Sequence, residues 1–133
     1  MDELKYKYSI KNIKVKLSNQ KKPVKLPTKS DKADTIKFYM PGPEMFQPMD
    51  RRPISFGIKL ELNPRYLLLI KSYTLLETTN GIFVFPTFIA PSDKKTVTLT
   101  IQNFSSGRVM LQKDQLIAEG ILIPIVAFDI KEI

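Results

Sequence analysis

Neither cysteine nor histidine occurs in this chain, so its chemistry must rest on thirteen carboxylates and twenty-one lysines and arginines. Disulfides, thiol nucleophiles, Ser-His or Cys-His catalysis and ordinary zinc sites are thereby excluded. Carboxylate-based or metal-free chemistry remains. The cations are unevenly placed. Residues 1–37 hold eleven Lys against four acids, a balance of +7, while residues 38–133 carry only +1. Lys21, Lys22, Lys25 and Lys29 form a candidate basic patch there, suited to nucleic acid, an anionic surface or an acidic protein. Ile10, Ile13, Val15 and Leu17 interleave with Lys11, Lys14 and Lys16, which is equally the pattern of a strand with one wet face.

The elements that must carry these residues read as strands. Ile58, Leu60 and Leu62 alternate with Lys59 and Glu61, and Val97, Leu99 and Ile101 alternate with threonines and Gln102. Ten prolines and five glycines cut the chain into short segments and disfavour long helices. Arg65–Leu76 reads either as a short helix or, through its Tyr-Leu-Leu-Leu-Ile run, as a buried strand. The tail from Gly120 to Asp129 is a nearly continuous apolar strand broken by Pro124. The expectation is an all-β jelly roll or distorted barrel, a single domain over 1–133 with a basic segment at about 1–37. No apolar run approaches the ~18 residues of a membrane span, and the N-terminus lacks a signal-peptide pattern, so an intracellular site of action is expected.

One stretch is more specific: Gly81-Ile-Phe-Val-Phe-Pro-Thr-Phe-Ile-Ala-Pro-Ser-Asp-Lys-Lys-Thr96, then Val97-Thr-Leu-Thr-Ile-Gln-Asn103 and Lys113-Asp-Gln-Leu-Ile-Ala-Glu119. It resembles the dUTP pyrophosphatase (dUTPase) family pattern Gly-Ile-Asp-x-Gly-x-Gly-x-Ile-Asp-x-Asp-Tyr-Arg-Gly, a strand ending in Asn, and Gly-Asp-Arg-Ile-Ala-Gln. The register runs from Gly81 to Glu119 without a gap and keeps Gly81, Ile82, Val84, Ile89, Asn103, Ile117 and Ala118. Further matches are looser: Ile13–Leu17 with Leu26-Pro-Thr-Lys29, Gly57–Pro64, and Ile70-Lys-Ser72 for the phosphate-binding Pro-Arg-Ser.

The resemblance implies a dUTPase-like fold whose catalytic positions are replaced. Phe38 stands where an Asp would hold magnesium through water, and Ala90 where an Asp would orient the attacking water. Losing that base removes a term usually worth about 10²–10⁴-fold in rate. Asp93 replaces the Tyr that stacks under deoxyribose, and Glu119 replaces a Gln that would donate to the triphosphate. Phe85 and Phe88 are expected to crowd the uracil pocket as an apolar plug. Lys71, Ser72 and Lys94 are vestigial phosphate-pocket positions, and no metal or cofactor is expected. The function implied is non-enzymatic. The chain is similar to viral dUTPase-related proteins that act by binding host or viral protein partners, and the family suggests a homotrimer. Alternatives are low-specificity nucleic-acid binding through the basic segment, or a structural role in an assembly; no membrane partner is expected.

Overall fold

The computed structural model describes residues 8–10, 13–18, 24–29, 34–126 and 130–132. Among them are twelve strands: β1 (Tyr8–Ile10), β2 (Ile13–Leu17), β3 (Ile36–Tyr39), β4 (Glu44–Phe46), β5 (Arg51–Ser55), β6 (Ile58–Leu62), β7 (Tyr66–Ser72), β8 (Ile82–Val84), β9 (Thr87–Ile89), β10 (Thr98–Asn103), β11 (Val109–Leu111) and β12 (Leu116–Pro124). One short helix, α1 (Thr74–Asn80), separates β7 from β8. The all-β expectation holds.

Every strand pair is antiparallel, in four small sheets ordered β1-β2-β6, β5-β10-β8, β11-β4 and β3-β12-β7-β9. Alternation explains the first two. In β6 the buried residues are Ile58, Leu60 and Leu62, while Glu61 is exposed; β10 buries Leu99, Ile101 and Asn103 with Thr98 outside. A period of two puts one face in the core and leaves the other to water. Two readings sharpen. The Ile10–Leu17 segment is a hairpin, with Ile10 opposite Ile13, rather than one strand. Tyr66–Ser72 is the buried strand of the two options, because β7 sits between β12 and β9.

The inner faces of all four sheets meet in one core. Val15, Phe38, Met40, Phe46, Leu68, Ile70, Leu99, Ile101 and Ile117 are all at most 1% exposed. Gly120 of β12 leaves little room for a side chain in this core: an added Cβ would lie 3.0 Å from Leu68 Cδ1 and 3.1 Å from Phe38 Cε2. The segment carrying Leu26, Pro27 and Thr28 is tied to β3 by two backbone bonds between Thr28 and Lys37, of 2.7 and 3.1 Å. Lys21 and Lys22 lie outside the described residues.

Candidate functional site

Gly81 opens the segment that carries the most specific motif. It ends α1 at φ 69°, donating its N–H to Glu77 O at 3.2 Å. A Cβ there would come within 2.9 Å of Ser105 Cβ, so glycine is required both by conformation and by space. From Gly81 the chain runs into two arms that join different sheets. β8 pairs with β10, whereas β9 pairs with β7. Pro86 lies at the changeover, where it withholds an N–H from neither ladder.

Ser72 fastens the first arm. Its hydroxyl donates to Val84 O at 3.0 Å and accepts from Val84 N at 2.6 Å, and the residue is 1% exposed. This hydroxyl therefore serves the β7–β8 junction, and its one proton is engaged there. Lys71, half-buried, donates from Nζ to Ser72 O at 3.2 Å.

Antiparallel register decides which candidate positions meet. Phe38, Ala118 and Ser72 form one row across β3, β12 and β7; Lys37, Glu119 and Lys71 form the next. Glu119, half-exposed, thus stands between two lysines, which offsets the charge it would present to an anion. Lys37 Nζ also bonds Thr35 Oγ1 at 2.5 Å and lies 5.9 Å from the Tyr73 ring centroid. Phe38 is a core residue, 1% exposed, with its ring against the Gly120 backbone.

Ala90, Asp93 and Lys94 are elsewhere. Ile89 pairs with Leu68, three residues from Lys71, so Ala90 is at least about 10 Å along the sheet from that row. Residues 90–93 make a closed turn: Asp93 N donates to Ala90 O at 3.0 Å, and Asp93 Oδ2 accepts from Ala90 N at 2.9 Å. The Asp93 carboxylate is engaged in shaping this turn, as Asp commonly is. Lys94 is exposed beside it. Phe88 is 62% exposed and does not plug a closed pocket. It lines an open groove of about 230 Å³ with Leu60, Ile89, Val97, Asp93 and Lys95. The reason is register: Phe88 faces Leu69 on the outer side of the sheet, while Ile89 beside it is buried.

Of the basic patch, Lys25 and Lys29 are described and exposed, with Lys25 Nζ 4.1 Å from the Tyr39 ring centroid. Sequence reading missed a second cluster. Phe83 meets Phe85 edge-to-face at 5.4 Å and Phe104 at 6.2 Å, and the Arg51 guanidinium lies over Phe85 at 4.8 Å. Its signal in the sequence was slight, since these residues come from three separate segments.

Strand order and register together define the fold. It is a dUTPase-like fold. The dUTPase of Staphylococcus bacteriophage 80alpha, described as controlling transfer of virulence genes by a proto-oncogenic G protein-like mechanism, superposes with a TM-score of 0.84. The match covers 93% of this chain and 97% of that one at 12% identity. The dUTPase of phage phi11 of S. aureus gives 0.82 over 91% and 95%, at 11% identity. No protein-family model and no curated protein matches the sequence.

Proposed function

We propose that this chain is a non-enzymatic protein on a dUTPase-like scaffold, encoded by a virus or mobile element, that acts inside the cell by binding a host or partner protein. The observation that carries this reading is the turn at Ala90. Where the family resemblance places the water-orienting carboxylate there is a methyl group, and the nearby Asp93 carboxylate is turned onto Ala90 N. The row across the central sheet supports it, because Phe38 offers carbon in place of oxygen and the Ser72 hydroxyl is engaged by Val84. The fold neighbours add precedent for regulation. One phage 80alpha dUTPase is described through the link between its enzymatic activity and its SaPI-inducing capacity. Low-specificity nucleic-acid binding is the second reading, favoured by the exposed Lys25 and Lys29 within the +7 segment.

Purified protein with magnesium is expected to release no pyrophosphate from dUTP or other dNTPs above buffer, and Ala90→Asp alone is expected not to start turnover. Clear hydrolysis by the native chain would overturn the proposal. Capture from host extract with and without nuclease separates the two readings: partners that survive nuclease support protein binding, and their loss supports nucleic acid.

The chain is also proposed to act as one domain in a homotrimer. Outer-face residues Leu67, Leu69, Ile121, Ile123 and Phe88 are contiguous in register across β7, β12 and β9. Ile121, paired with Leu69 of β7, is 38% exposed. A second copy would cover this apolar face. Sedimentation at micromolar concentration should give three times the 15.3 kDa of a single chain; a monomer would remove this part of the proposal.

A further inference from the structure

Resting on the protein-binding reading above, we propose that the partner docks on the outer face of the β5-β10-β8 sheet. The occupant is a protein segment that presents an apolar side chain flanked by carboxylates. The surface is built by register. Arg51, Gln102 and Phe83 stand in one row across β5, β10 and β8, with Pro53 and Thr100 in the next. Phe85 continues β8 and donates its N–H to Thr100 O at 2.9 Å. Arg51 reaches across β10 to lie over Phe85, and Gln102 beneath this roof is only 8% exposed. The cluster is therefore fixed before any partner arrives, which lowers the ordering cost of binding.

At its edge the apolar surface opens to solvent. Phe104 is 53% exposed and Met49 60% exposed. They are neighbours through Asn103, because Met49 N bonds Asn103 O at 2.7 Å and Phe104 N bonds Gly81 O at 2.8 Å. Phe, Met and Arg together are the composition enriched at protein interfaces, and such anchors carry most of the binding energy.

Charge selects the occupant. Arg51 and Arg108, the latter four residues beyond Phe104 in the same loop, have no carboxylate partner among the described residues. The nearest acid in sequence, Asp50, accepts from Gln47 N at 2.8 Å. The Arg51 guanidinium beside this apolar anchor, with exposed Arg108 in the loop that carries Phe104, fits an acidic, apolar peptide by bidentate pairing. A nucleic acid fits less well. Arg51 already lies over Phe85, and the T-shaped packing of Phe83 with Phe85 and Phe104 offers no parallel set of ring faces on which successive bases could stack.

Fluorescence anisotropy on the full chain tests this with four labelled probes. Three are twelve-residue peptides: Phe and Leu at the centre with Asp/Glu flanks, the same centre with Lys flanks, and a Ser centre with acidic flanks. The fourth is a twelve-nucleotide oligo(dT). The first peptide is expected to bind at least about tenfold tighter than the other three. Phe104→Ala and Arg51→Glu should each cost it about tenfold, while Val126→Ser, beyond β12 in the four-stranded sheet, leaves it unchanged. Matching thermal melts establish that the variants fold. Equal binding of the Lys-flanked peptide or oligo(dT), indifference to both patch variants, or no binding by any probe overturns the inference. A dUTP hydrolysis assay on the same sample keeps the two readings apart: turnover sinks the non-enzymatic function whatever the peptides do, and its absence with failed peptides sinks only this surface.

Discussion

Phe38→Asp, which puts a carboxylate at the β3 position proposed to correspond to the family's metal-binding Asp, is expected to unfold the protein rather than confer activity. Truncating a core phenylalanine costs about 3–5 kcal/mol through lost transfer energy and the cavity left behind. The site gives no compensation. Phe38 is 1% exposed, in a row with Ala118 and Ser72, and the Ser72 hydroxyl is already bonded to Val84. A neutral carboxyl without a partner adds about 1–3 kcal/mol, and the sum approaches the whole stability of a typical domain, about 5–15 kcal/mol.

The pH dependence identifies the cause. Burial raises the folded-state pKa of the new carboxyl above its unfolded value. The unfolded chain then releases a proton that the folded chain retains, so stability is greatest below the unfolded pKa, near 4. It falls by about 1.4 kcal/mol per unit as pH rises toward the folded pKa. Urea unfolding of the variant should therefore improve on acidification from pH 7 to 4, relative to the native chain. Ala90→Asp is the control, half-exposed in a turn and expected to shift stability by roughly 1 kcal/mol or less. If Phe38→Asp unfolds at the native midpoint, residue 38 does not belong to the core.

This contrast also shows what the sequence could and could not reveal. The frame from Gly81 to Glu119 was legible because its demands are local. Gly81 needs a positive φ, and β8 and β10 each need one dry face. Helix α1 was not legible. Thr74-Leu-Leu-Glu-Thr-Thr-Asn80 has no side-chain cap and buries only Leu76, so neither capping nor periodicity announces it. The outward turn of Phe88 was missed for another reason: it depends on which residue of β7 faces which of β9. The same holds for Glu119 between Lys37 and Lys71, and for Arg51 over Phe85. Each depends on strand register between distant segments, which residue types alone do not encode. The candidate site was thus legible as a set of positions, but not as two groups separated along β7.

Asn103→Ala is expected to destabilise the fold by about 2–4 kcal/mol, since it strips partners from several backbone groups at once. The side-chain Nδ2 donates to Phe46 O at 3.1 Å and to Gly107 O at 2.9 Å. Oδ1 accepts from Ser105 N at 2.9 Å and from Ser105 Oγ at 2.7 Å. One amide thus joins the end of β10 to β4 and closes the Phe104–Arg108 loop. Asn103→Asp distinguishes this network from simple packing, because shape is kept while the donor is lost. At pH 7 a carboxylate would point an oxygen at two carbonyls, and the variant should be at least as unstable as the alanine. Protonation at low pH restores one O–H donor, so Asn103→Asp should recover toward pH 4 while Asn103→Ala does not. Equal stability of both variants across this range would mean the amide is not the clasp. Hydrogen exchange gives the local readout, with faster exchange expected at Ser105 N. The consequence reaches function, since Phe104 is held between Asn103 and Ser105, and a partner docking there relies on a loop that this single side chain keeps in place.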